Sequence, residues 1–200
     1  MTNRHVIRRF EDRQLSEEDL EQILQAGLYA PSAGNNQYSR IVVCQDPEVN
    51  EKLIKINRWM QFKDQDPKKV AHSLSSDQQP SIQDDFTILS GYYNAPTVCT
   101  IFTRQGGYSN QDAAMIAENM LLAANFLGVG ACYVGRTDEV FATEYGIRKR
   151  KDATEYGIRK RKEWGIPDDM NAVCNVVLGY RRGPEPHQKL RKSGRIIRVK

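Results

Sequence analysis

Long apolar runs are missing from this 200-residue chain. The longest stretches, such as 120–129 (MLLAANFLGV), fall well short of the roughly 20 residues that cross a bilayer. No membrane partner is expected. The N-terminal segment MTNRHVIRRF lacks the apolar centre of a signal peptide, which points to a cytoplasmic protein. Cysteine is scarce, and Cys44, Cys99, Cys132 and Cys174 form no C-x-x-C pair. Zinc and thioredoxin-type chemistry therefore have no support, and no metal site is expected. Each cysteine sits in a short β-branched run (IVVC, TVCTIF, ACYVG, AVCNVVLGY) and reads as a buried strand thiol, with a catalytic cysteine and distant histidine as the alternative. Aromatic residues do not interleave with the basic clusters as single-strand nucleic-acid binding requires, so no nucleic-acid partner is expected.

What is present begins with charge: 29 bases against 25 acids give a net charge of +4, with 40% hydrophobic and 27% charged residues. Such a chain can fill a core, and its length suggests one domain spanning 1–200. The bases are unevenly placed. The last twenty residues hold eight bases and one acid, Glu185. A second basic cluster, Arg148 to Lys151, recurs as Arg159 to Lys162 because ATEYGIRKRK occurs at 142–151 and again at 153–162. This 11-residue tandem duplication, within 142–163, accounts for two units of the net charge. Eleven residues advance an α-helix by three turns plus about 20°, so an added copy nearly preserves the apolar face. It either extends a helix or pushes one copy out as a loop. The RKRK groups read as a solvated helix face.

Helical patterns lie at 16–29, where Ser16 and Asp19 have capping-box spacing and Pro31 ends the run, and at 47–62. Residues 63–85 are polar and rich in Ser, Asp and Gln, reading as a loop with a lid as one role. Residues 111–127 are small and apolar over most of their surface and read as a central buried helix ending at Gly128. Strand-like runs at 40–44, 97–102, 130–135 and 172–180 complete an α+β layer structure.

Three pieces are unusual for plain structure: RHVIRRF at 4–10, APSAGNNQ at 30–37 and KLR at 189–191. Arginine and lysine from both chain ends can clamp a phosphate, and the Pro/Gly/Asn turn offers amides and short polar side chains to a heterocycle. Their order around a central helix resembles the FMN-dependent nitroreductase family over nearly the whole chain. The matching residues are Arg4, His5, Ile7, Arg8 and Phe10; Ala30, Pro31, Ser32, Asn35 and Gln37; Asp112 with ENMLLAANFLGVGACYVG; Gly135 and Arg136; and Lys189 with Arg191.

The resemblance implies a nitroreductase-like fold: a central, mainly antiparallel sheet flanked by helices, with a long buried helix at the interface of a homodimer that binds FMN. It implies that Arg4, Lys189 and Arg191 hold the FMN phosphate with His5 beside it, and that Arg8 faces the flavin pyrimidine. A cation there stabilises charge on the reduced ring. Ser32, Asn35 and Gln37 would bond the ribityl chain and ring edge from the other subunit, with Pro31 also in the cofactor-binding set. Asp112 would be a polar flavin contact, and the Gly135 amide would lie near N5, where the chemistry occurs without a catalytic side chain. The implied activity is NAD(P)H-driven, ping-pong, two-electron reduction of nitroaromatics, quinones or similar small acceptors. An apolar slot would draw on Tyr38, Trp59, Phe62, Phe86, Tyr92 and Tyr93, with core packing as the other reading of each.

Two departures stand out. Val6 replaces the family's serine and removes a hydroxyl from the phosphate region, and Tyr38-Ser39 replaces a frequent Pro-Trp. Other readings are a relative catalysing reductive dehalogenation or flavin fragmentation, a flavin-binding protein with little turnover, and a nucleic-acid binder acting through the basic tail.

Overall fold

Four β-branched runs build the sheet. In a computed structural model, which describes residues 4–53, 92–135, 137–141, 151–186 and 191–199, they form β1 (Arg40–Cys44), β2 (Thr97–Arg104), β3 (Gly130–Val134) and β4 (Met170–Gly179). All pairings are antiparallel, in the spatial order β1-β2-β4-β3. Thus β4 is central and is buried along most of its length. One cysteine falls on each strand, and all four are buried free thiols, as expected from their runs.

Strand alternation separates two apolar layers. Cys99 and Ile101 of β2, with Cys174, Val176 and Leu178 of β4, face α1 (Glu17–Leu28) and α2 (Ser109–Phe126). Val98, Phe102 and Val177 face the other way, onto Phe10, Leu53, Tyr92 and the short helix α3 (Thr137–Phe141). Ile23, Ile101 and Met120 are completely buried, each worth about 1.5–3 kcal/mol relative to an exposed side chain. The helix over 47–53 also belongs to the second layer through Leu53. The remainder of the expected 47–62 helix, the 63–85 loop, and Trp59, Phe62 and Phe86 lie outside the described residues.

Helix α1 starts as its sequence suggests: Ser16 Oγ accepts from the Asp19 amide at 3.1 Å. The Asp19 carboxylate goes elsewhere, accepting from the Tyr180 hydroxyl at 2.7 Å, while that hydroxyl accepts from the Ser16 amide at 3.3 Å. The helix cap is thereby tied to the chain just past β4.

The second repeat copy, 153–162, lies within helix α4 (Lys151–Glu163), whereas 142–150 lie outside the described residues. The RKRK cluster is only partly a solvated face. Arg159 pairs with Glu163 at 3.7 Å and Lys160 with the same carboxylate at 2.7 Å, but Arg161 is 2% exposed, with Nη2 donating to the Pro167 carbonyl. Burial depresses the Arg161 pKa despite the nearby Asp168 and Asp169. The physical reason is the seating of α4. A Cβ on Gly157 would come 1.9 Å from the Val140 carbonyl oxygen, so α4 approaches α3 through that glycine and turns Arg161 inward.

Candidate functional site

The N-terminal segment is held like an extra strand. The Ile7 amide donates to the Ala131 carbonyl at 3.0 Å, Phe10 bridges Arg181, and the Arg182 amide donates to Arg9 O at 3.0 Å. Gly130 permits this approach, because a Cβ there would lie 2.8 Å from Ile7 Cγ2 and 2.9 Å from Gly179 O.

Arg4 Nε lies 3.8 Å from Glu118 Oε1 on α2. His5 faces a separate cavity of about 230 Å³ bounded by Asn125, Gly130 and Arg181. Arg8 sits with its guanidinium carbon 5.5 Å from the Tyr93 ring centroid. Its Nε is buried without a hydrogen-bond partner among the described residues. Burial raises the Tyr93 pKa, the positive charge of Arg8 opposing it.

Residues 31–37 form a turn packed at the start of α2. The Ala33 amide donates to Asp112 Oδ1 at 3.0 Å, the Gln37 amide donates to Ser32 Oγ at 3.1 Å, and Gln37 Nε2 donates to Asn35 Oδ1 at 2.9 Å. Gly34, Asn35 and Gln37 have φ of 60°, 53° and 51°, a left-handed backbone suited to Gly and Asn. Pro31, Asn35 and Gln37 are exposed and Ser32 is half-buried. Tyr38 stacks with Arg104, whose Cζ is 4.4 Å from the ring centroid.

Gly135 follows β3 on the exposed surface, and a Cβ built on it would meet nothing within 4 Å. Arg191 is exposed; Lys189 and Arg136 lie outside the described residues. Two of the candidates meet α2, the 31–37 turn at Asp112 and Arg4 at Glu118, six residues apart or about 9 Å of helix axis; Arg8 sits on Tyr93 instead, and no contact joins Gly135 or Arg191 to them among the described residues. Tyr92 follows the core-packing reading, being fully buried, whereas its neighbour Tyr93 meets the candidate site residue Arg8.

Residues that sequence reasoning passed over lie beneath this surface. Asn175, fully buried on β4, accepts from Thr100 Oγ1 at 2.7 Å and donates to Thr137 Oγ1 at 2.7 Å and to the Tyr92 hydroxyl at 3.3 Å. The signal was a lone amide within the apolar run AVCNVVLGY.

The four-stranded antiparallel sheet with helices on both faces defines an α+β protein of the nitroreductase fold. The chain belongs to the nitroreductase family, whose model matches residues 1–180. It is 30% identical over 178 residues to an Archaeoglobus fulgidus protein provisionally named NADH dehydrogenase/NAD(P)H nitroreductase, covering 88% of this chain and 80% of that one. Among solved structures it resembles in fold an FMN-bound nitroreductase from Bacteroides fragilis (TM-score 0.72, 24% identity, 98% and 95% of the two chains). A second FMN-bound nitroreductase, from Desulfitobacterium hafniense, gives TM-score 0.73 at 22% identity, with 100% and 95% covered. No helix among the described residues is long and apolar enough to cross a membrane, and they contain no cluster of three or more metal-ligating side chains.

Proposed function

We propose that the protein is an FMN-dependent oxidoreductase using NAD(P)H to reduce nitroaromatics, quinones or similar small acceptors in a ping-pong cycle. The observation that carries this reading is Arg8: a cation stacked on Tyr93 with a buried Nε that has no partner among the described residues. A buried donor of this kind calls for an acceptor, and the carbonyl and ring-nitrogen edge of a flavin supplies one. Bound FMN would supply the two-electron chemistry, with hydride accepted at N5.

The chain's own residues have separable tasks. Arg4, Lys189 and Arg191 would hold the phosphate, and Arg8 would stabilise negative charge on the reduced pyrimidine. The turn bonds leave the Ser32 hydroxyl hydrogen and the Asn35 side-chain N–H groups to reach a ligand, and the open surface at Gly135 admits a planar ring.

A homodimer supports this arrangement. Tyr29 and Phe126 are 85% and 89% exposed at the ends of α1 and α2, and Ile196, Ile197 and Val199 are exposed on the C-terminal arm. Apolar surface of this kind is what a second copy would cover.

The test is visible absorption of the purified protein after FMN addition, followed by NADH and NADPH oxidation with a quinone. Expected are a bound oxidised-flavin spectrum and turnover. A protein that stays colourless with excess FMN refutes the reading. In the binding protein, Arg8→Leu should weaken FMN binding by roughly tenfold, the equivalent of about one charge-assisted hydrogen bond.

A further inference from the structure

Asn175 is completely buried in an apolar layer, where a lone amide has no reason to persist unless its bonding groups are used. They are used: Oδ1 accepts from Thr100, and the two Nδ2 hydrogens go to Thr137 and Tyr92. Its backbone pairs with Thr100 on one side and Val134 on the other. The amide therefore lies mid-sheet with one tie to a neighbouring strand and two that leave the sheet.

Those two ties end beside the candidate site. Thr137 opens α3, two residues after Gly135, and its hydroxyl also reaches Val134 O at 3.5 Å. Tyr92 begins the turn in which Tyr93 and Asn94 have φ of 58° and 53°, closed by the Ala95 amide donating to Tyr92 O at 3.1 Å. Left-handed backbone suits Asn94 but is strained at Tyr93, where it persists only when its surroundings hold it. The buried Tyr92 ring, bonded to Asn175, anchors one end of that turn, and Tyr93 within it lies over Arg8.

We propose that Asn175 is a positioning residue for the flavin site, setting through Thr137 the end of β3 at Gly135 and through Tyr92 the Tyr93–Arg8 pair. This rests on the FMN reading above. Asn175 touches no ligand; it holds two separate walls in one register.

The experiment compares Asn175→Leu with Thr100→Val in the full chain. Both cut bonds of the same buried amide, but Thr100→Val cuts only the tie that stays within the sheet. FMN affinity and the flavin midpoint potential are measured together with denaturant stability. Expected is a roughly tenfold or greater loss of FMN affinity and a displaced potential for Asn175→Leu, with Thr100→Val within about twofold of the parent. FMN affinity that falls only in step with stability across both variants overturns the proposal.

Should Asn175→Leu fail to fold, Thr137→Val and Tyr92→Phe each cut one tie nearly isosterically. Parental affinity and potential in both would overturn it equally. Amide hydrogen exchange separates this inference from the cofactor reading. The ties predict faster exchange at Gly135, Thr137, Tyr93 and Asn94 in Asn175→Leu, but not in Thr100→Val, whether or not FMN binds. Unchanged exchange at those positions defeats the positioning role, whereas a parent that takes up no FMN defeats the reading on which it rests.

Discussion

Asp112 Oδ1 accepts a hydrogen bond from the Ala33 amide at 3.0 Å, fastening the 31–37 turn to the first turn of α2. Besides the flavin contact expected of it, Asp112 supports through this bond the turn whose residues are proposed to contact the same ligand. Asp112→Ala should cost about 1–2 kcal/mol of stability and weaken FMN binding through the loosened turn. Asp112→Asn, which keeps an acceptor oxygen, should retain most of both. Denaturant melts and FMN titration of the two variants check this, and equal losses in both would show that the charge rather than the bond matters.

The Tyr180 hydroxyl, and then Ser16, hold the Asp19 carboxyl below the ordinary aspartate pKa. A carboxyl whose pKa is lower folded than unfolded stabilises the protein above the unfolded value and loses that contribution as pH falls through the folded one. Tyr180→Phe should therefore lower stability above about pH 4 and flatten its decline below that pH. Urea midpoints from pH 7 to pH 3 would show the curves of parent and variant converging in acid. Curves that stay parallel would contradict the linkage.

All four thiols should be inert in the native protein. Burial pushes Cys99 up to about 12 and Cys174 up to about 11, and raises Cys44 and Cys132. Reaction with an aromatic disulfide reagent at pH 8 should be at least about a hundredfold slower than for a free thiol. Unfolding should release all four. A single fast-reacting cysteine in native protein would revive the catalytic-thiol alternative.

Gly157 should be intolerant of even one methyl group, since its Cβ would lie 1.9 Å from a backbone oxygen. Alanine gains about 1 kcal/mol of helix propensity over glycine, but overpacking costs about 1–3 kcal/mol. Net destabilisation is expected. The identical decapeptide 142–151 carries glycine at the equivalent position 146. Deleting 142–152 should leave a folded, FMN-binding protein, and Gly157→Ala should cost more in that deletion than in the full chain. Equal costs would show that only the second copy can fill the α4 seat.

The strand runs at 40–44 and 130–135 and the helix at 16–29 were legible within a residue or so, because each rests on local periodicity and a cap. The 172–180 run begins two residues earlier, at Met170, where the pairing with β2 extends to Arg104. The ordered motifs around Arg4, Ser32 and Gly135 were legible because a family pattern is written in residue identity and spacing.

By itself, then, the sequence determined the layer architecture, the buried thiols, the family and the tandem repeat. Only the tertiary structure decided that Arg161 is buried in a nominally solvated cluster, that Asp19 serves Tyr180, and that Asn175 links Tyr92 to Thr137. Local pattern records which side chains an element buries, but those decisions depend on partners distant along the chain or on how one helix seats against another. The polar bonds that satisfy a buried group exist only once the strands and helices have closed around it.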